Sequence, residues 1–201
     1  NSSIELNALG GLTPLAPNTV LDDQIQIIRS SKLMQEVVRK NKFYISYAEV
    51  GRVHGREVLA EELPFRLQIL KKSPLEQENL SISFRIAFGE NWQISLSQGN
   101  QTQEALVGQS FTWDDIPFQI EIVNGKSGAG RQFQVTIRPV EVVANNLRTA
   151  LTVSRSEQSN TILDFGFTAE SPKKAEIILR DLIIAYDNDL DNDKNRVTAA
   201  S

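Results

Sequence analysis

The sequence predicts an α+β protein: a mostly antiparallel sheet with helices on one face, and a C-terminal helix that leaves the globular base, either projecting into solvent or continuing toward a partner. Three observations carry this. Short runs of alternating apolar and polar residues fill the middle of the chain from Phe43 to Ile137. Apolar residues at three- and four-residue spacing appear before and after that run. The last patterned segment, Thr161 to Arg196, runs from a short apolar strand into a packing helix that turns polar on every side after Leu190, with no Gly or Pro there to stop it.

Residues 1–17 are rich in Gly, Pro and Asn and read as a lead-in segment without regular structure. Asn18 or Thr19 is placed to cap a first helix, with Asp22 and Asp23 in its first turn, where the helix dipole favours acids. Leu21, Ile25, Ile28, Leu33, Val37 and Val38 mark its buried face, and Ser30-Ser31 interrupts it, so two short helices are expected. Phe43–Val50 alternates and is aromatic, which predicts a strand. After a turn at Gly51-Arg52, Arg56–Glu62 fits either a strand or a short helix. Pro64 then opens a strand over Phe65–Leu70.

Ile82–Phe88 and Trp92–Leu96 form a predicted hairpin across Gly89-Glu90-Asn91. The polar stretch Gln98–Gln103 leads to Gly108 and a strand at Phe111–Trp113. Pro117–Val123 and Arg131–Ile137 are expected to pair across the glycine-rich loop 124–130. From Pro139 the period becomes helical, through Val140, Val143, Ala144, Leu147 and Ala150. Strands at Leu151–Ser154 and Ile162–Phe167 precede Ser171-Pro172, a serine cap with proline at the first helical position. Ala175, Ile178, Leu179, Leu182, Ile183 and Tyr186 then form one wide apolar stripe, which ends after Leu190.

The reading is one domain over residues 18–201, with β-hairpin insertions over about 73–130 and a final helix from Pro172 that the chain end cuts short. Forty per cent of the 201 residues are hydrophobic, enough for one sizeable core. The chain opens on Asn1 and closes without a stop signal, and is expected to be a piece of a longer protein. It has no cysteine, which excludes disulfides and thiolate metal sites. A net charge of -4 with no dense basic block argues against nucleic acid as the main partner.

Catalytic chemistry finds no constellation. Gly125-Lys126-Ser127 ends like a phosphate-binding loop, but position 120 is Ile rather than the required Gly, and a strand follows instead of a helix. Asp187, Asp189 and Asp191 open like a calcium loop, yet Asn192 stands at the required Gly and Thr198 at the closing acid. His54 is the sole histidine, so a triad or His-based metal site would hang on one residue in a turn. Glu57, Glu61 and Glu62 make no arguable acid/base pair. Trp92 and Trp113 sit in strand contexts that favour packing, with stacking on a sugar as the functional alternative. No cofactor, metal or catalytic residue is predicted.

Four stretches together resemble the periplasmic domain of the polysaccharide chain-length determinant family, the Wzz-like polysaccharide co-polymerases. Leu21–Tyr47 is similar to that family's opening, with Ser30 at its serine. Glu57–Ile69 is similar to its "ELY...PF.V" element through Pro64 and Phe65, with Leu59 where tyrosine is usual. Val107–Ile122, with Gly108, looks like its "G..v....f.i.v" hairpin. Val142–Tyr186 resembles its ending, where Pro172, Ala175, Leu179 and Tyr186 fall at matching positions and Arg180 replaces the customary asparagine.

The resemblance covers about residues 18–196. It implies a non-catalytic periplasmic domain of a bacterial inner-membrane protein, anchored by flanking membrane helices outside this chain. It implies assembly into a homo-oligomeric ring beside the membrane polysaccharide polymerase and the growing polysaccharide, regulating the length and export of a capsule, exopolysaccharide or O-antigen. The extra hairpins between Ser73 and Gly130 imply the branch fused to a cytoplasmic tyrosine autokinase. A second class is a carbohydrate-binding module contacting polysaccharide through Trp92 and Trp113; a polysaccharide-cleaving enzyme is the third.

Overall fold

The computed structural model describes residues 17–51, 55–70, 80–123, 128–157 and 159–199. It is a mixed α+β protein with antiparallel sheets. The chain divides into two units, residues 1–41 with 141–201, and residues 42–140.

The first unit is built from the two ends of the chain. Helices α1 (Pro17–Ile28) and α2 (Ser31–Lys40) come before the second unit; α3 (Val140–Ala150), β10 (Leu151–Ser156), β11 (Ser159–Phe167) and α4 (Pro172–Ala199) come after it. The helical break falls at Ser30, as the Ser30-Ser31 interruption predicts. Ser30 has extended backbone, and its hydroxyl accepts a hydrogen bond from the Leu33 amide at 3.3 Å, so it caps α2. Arg39 and Lys40 occupy the last turn, where the helix dipole favours cations. The expected first-helix cap is corrected: α1 starts at Pro17, so Asn18 and Thr19 are inside the helix and Asp22 and Asp23 lie beyond its first turn. Proline at the first helical position costs no hydrogen bond there.

Leu33, Met34, Val37 and Val38 form the buried stripe of α2, which packs along α4. The β10–β11 hairpin runs in register from Leu151↔Phe167 to Arg155↔Leu163, and α1 and α4 lie against it. Asp22 on α1 pairs with Arg155 on β10 at 2.7 Å, and Arg148 on α3 donates to the Arg29 carbonyl at 2.8 Å.

The second unit is two facing antiparallel sheets. The strands are β1 (Ile45–Val50), β2 (Gly55–Val58), β3 (Phe65–Ile69), β4 (Ile82–Phe88), β5 (Gln93–Gln98), β6 (Gln101–Leu106), β7 (Ser110–Trp113), β8 (Ile116–Ile122) and β9 (Gln132–Ile137). The larger sheet has the order β2-β1-β9-β4-β5-β6 and the smaller β3-β8-β7. The ambiguous stretch Arg56–Glu62 is both things in turn: β2, then a single 3-10 turn at Ala60–Glu62.

Aromatic side chains fill the space between the sheets. Phe65 of β3 meets Tyr47, Phe88 and Phe133 of the large sheet at ring distances of 6.2, 5.1 and 5.3 Å. Phe84 of β4 meets Trp113 and Phe118 of the small sheet at 5.6 and 5.5 Å. Each such pair adds about 0.5–1.5 kcal/mol beyond the area it buries.

The expected pairing of Pro117–Val123 with Arg131–Ile137 is overturned. β8 lies between β3 and β7, whereas β9 lies between β1 and β4 in the other sheet. Both strands alternate buried residues strongly, and each is the centre of its own sheet rather than half of a hairpin. At the end of this crossing, a Cβ on Gly128 would stand 2.8 Å from the Phe88 ring, so only glycine lets the backbone pass.

Two further expectations are corrected. Gln101–Leu106 is a strand, although it is polar on both faces. Trp92 is not in a strand: it is the second central residue of the β4–β5 turn, where Asn91 has φ +54° and Trp92 φ +65°.

Candidate functional site

The residues singled out from sequence fall into two groups, one per unit. In the first unit, Pro172 opens α4, and Ser171 caps it by accepting from the Lys174 amide at 3.3 Å. Ala175 is half-buried; Leu179 and Tyr186 are buried on the stripe with Ile178, Leu182 and Ala185. Ser30 caps α2. In the second unit, Pro64 is buried and its carbonyl accepts from the Val123 amide at 3.0 Å, joining the ends of β3 and β8. Phe65 is at the centre of the inter-sheet aromatic cluster. Gly108 has φ +83°, donates to the Ile120 carbonyl at 2.8 Å, and accepts from Gln119 at 2.8 Å, so it turns the chain from the large sheet into the small one.

Asp181 on α4 is the residue that the sequence reading missed. Its side chain is 2 % exposed and is shared by three donors. Asn41 Nδ2 donates to one carboxylate oxygen at 2.8 Å; Lys40 Nζ at 3.1 Å and Arg180 Nε at 3.2 Å donate to the other. Asn41 also caps the end of α2, its Nδ2 and backbone amide both donating to the Val37 carbonyl. One carboxylate therefore locks the C-terminus of α2 to α4. Burial by itself pushes the Asp181 carboxyl up, but the hydrogen bonds from Asn41, Lys40 and Arg180 outweigh it and hold it below the usual carboxylate range. The sequence did carry a signal: an acid inside the apolar stripe of α4, flanked by Ile178, Leu179 and Leu182.

A second ionic group lies at one end of the large sheet. Glu49 on β1 accepts from Arg131 Nε at 2.8 Å and has Arg56 at 3.7 Å; the hydrogen bond from Arg131 lowers its pKa. Arg131 also stands 4.9 Å over the Phe133 ring. Burial raises the Tyr47 phenol, with a further push from Tyr44, and burial raises Tyr186, with a smaller push from Asp187.

The two tryptophans differ completely. Trp113 is 1 % exposed, its ring against Phe84, so no face is open to a sugar; of the two, Trp92 alone remains as a contact. Trp92 is 62 % exposed on a turn whose left-handed backbone favours Asn followed by Gly. Among the described residues, the buried side-chain polar atoms without a hydrogen-bond partner are Trp113 Nε1 and the Tyr186 hydroxyl.

Asp187, Asp189 and Asp191 are within α4 rather than in a loop, and Asp189 pairs with Lys32 of α2. Glu62 accepts from the Leu59 amide at 3.3 Å. Among the described residues, no three His, Cys, Asp or Glu side chains are grouped to hold a metal ion. Among the same residues, no helix is long and apolar enough to cross a membrane. His54 and Gly125-Lys126-Ser127 lie outside the described residues.

Two outcomes are expected. Asp181→Asn should lower the unfolding free energy by about 2–3 kcal/mol near neutral pH, the scale of hydrogen bonds to a buried charge. Because the folded carboxyl lies below its unfolded value, this contribution is complete above about pH 4 and is lost as pH falls through the folded value. Urea unfolding across pH 2 to 7, as a rough range, should show an acid slope in the wild type that is smaller in the variant. Trp92→Gly should raise the unfolding free energy by about 0.5–1 kcal/mol, since glycine relieves a left-handed backbone cost of about 1–2 kcal/mol and returns part of it as chain entropy. A loss of stability in that variant would show that the turn is not strained by the indole.

No protein-family model matches the chain, and no curated protein matches it.

Proposed function

We propose that this chain is a non-catalytic periplasmic domain of a bacterial inner-membrane protein that acts as a scaffold, regulating the chain length and export of a surface polysaccharide by assembling into an oligomer. The observation that carries the reading is the order and spacing of the four stretches that resemble the chain-length determinant family, ending on Pro172, Ala175, Leu179 and Tyr186 of α4.

The division of α4 supports it. Among the described side chains of this helix the last buried one is Tyr186, while the helix continues to Ala199, roughly 20 Å further at 1.5 Å per residue. Asp187, Asn188, Asp191 and Asn192 on that extension are exposed. In this reading the extension is the start of a stalk. Flanking membrane helices hold the domain at the inner membrane, and a cytoplasmic tyrosine kinase domain follows in the fused branch of the family. In this reading the two units over residues 18–201 act as a single domain, with the hairpins of about 73–130 as insertions.

The protein works through geometry. A ring needs heterologous, head-to-tail contacts, so two different surfaces of the domain are complementary. The ring stands beside the membrane polymerase and biases elongation of the polysaccharide against termination. A second reading, a carbohydrate-binding module using exposed aromatic residues, is favoured by one observation, the exposure of Trp92.

Deletion of the gene tests the first reading. Cells lacking it should lose the modal length of their surface polysaccharide on a gel, and restoring the full-length protein should bring it back. An unchanged length distribution would overturn the scaffold role.

A further inference from the structure

The outer face of the large sheet has an unusual chemistry at its β6 side. On β9, β4 and β5 buried residues alternate with outward ones, and the edge strand β6, polar on both faces, continues the sheet beside β5. The cross-strand register aligns Gln132, Ala87, Ser95 and Glu104 in one row. The next row away from the β4–β5 turn contains Arg85, and the row nearer to that turn contains Gln93. Across these four strands the outward charges are Arg85 and Glu104, and the other outward positions are Ser, Thr, Gln, Ala and one Leu. Solvent-facing surfaces usually carry about a quarter to a third Lys, Arg, Glu and Asp. This face instead presents hydroxyls and amides, which donate and accept hydrogen bonds at once.

The second observation is independent. Immediately before Gln93, the turn holds an exposed tryptophan in a backbone conformation that strains every residue except glycine and a few small polar ones. Its carbonyl accepts from the Val107 amide at 2.9 Å, which ties this turn to the end of β6. Folding alone favours Gly at this position, and exposing an indole there adds nothing to a core.

We propose that this face binds a glycan chain of low net charge, with Trp92 stacking on the apolar side of one sugar ring and Gln93, Ser95, Gln132 and Glu104 hydrogen-bonding to ring hydroxyls. Small residues, Ala87 and Ser95, keep the floor flat, so a ring can approach the sheet closely. Neighbouring strands are about 4.8 Å apart, close to the length of one pyranose unit, so successive sugars meet successive strands. A sugar ring pairs an apolar side with a rim of hydroxyls, which is the combination that an indole beside hydroxyl and amide side chains recognises. The scarcity of charge selects against a strongly acidic polymer.

This inference rests on the reading that the protein acts on a surface polysaccharide, because that polymer is the probe. Native gel electrophoresis of the 201-residue chain through gels containing polysaccharide purified from cells that carry the gene reads binding directly. The wild type should be retarded. Trp92→Gly, which keeps or improves the fold, should weaken binding by about three- to tenfold, and Ala87→Lys should abolish it by filling the flat floor. An unretarded wild type, or equal retardation of Trp92→Gly, overturns the proposal. Failure of this inference alone appears as a polysaccharide length that depends on the gene without retardation of the chain. Failure of the underlying reading appears as a length distribution that deletion leaves unchanged.

Discussion

The first unit is discontinuous: its opening helices and its closing helix are separated in sequence by the whole of the second unit. Such a unit exists only if its two segments recognise each other, and the seam between α2 and α4 does this. Apolar contacts from Leu33, Met34, Val37 and Val38 are non-directional and would tolerate a sliding helix. Asp181 is not tolerant. Buried and shared among Asn41, Lys40 and Arg180, it finds its partners in one register of α2 against α4. Asn41 is also the last residue before the second unit begins, so the same hydrogen bonds that end α2 fix the point where the chain leaves.

The second unit solves a different problem. Its two sheets share a core of rings, and the chain must change sheets repeatedly to supply both. The crossings are where backbone constraints concentrate. Gly108, in the left-handed region, carries the chain from β6 to β7, and Gly128 passes the Phe88 ring where a side chain cannot. Hairpins within a sheet use tight turns at Gly99-Asn100, Asn91-Trp92 and Asp114-Asp115. Asn and Asp accept the left-handed backbone at modest cost, so among these three hairpin turns Trp92 stands out as the residue with no conformational reason to be there.

Much of the fold was legible in the sequence because burial imposes a period. The alternation in Ile82–Phe88 and the three- and four-residue spacing after Pro172 follow from one face packing against a core. The cap at Ser171 was legible for the same local reason, whereas Ser30 was legible only as a break and the cap expected at Asn18 or Thr19 lies inside α1. Pairing was not. β8 and β9 look like hairpin partners, and nothing local states that each belongs to a different sheet. β6 was missed because an edge strand polar on both faces has no period; Gly99-Asn100, a hairpin dipeptide, was the signal available. Of the candidate contacts, Trp92 and Trp113 were indistinguishable in sequence, since exposure depends on which end of a strand the turn claims. Asp181 was visible only as a charge out of place, and its three donors are long-range except for Arg180.

If the first unit is one cooperative body closed by this seam, its parts should open together. Native-state hydrogen exchange measures this most directly, read on the amides of α2 and of the first half of α4. The account predicts that the slowest amides of both helices exchange with the same free energy, and that removing the Asp181 carboxylate lowers both by an equal amount. If α2 exchanged at a lower free energy than α4, and only α2 responded to the substitution, the seam would be a surface contact and the account would be wrong.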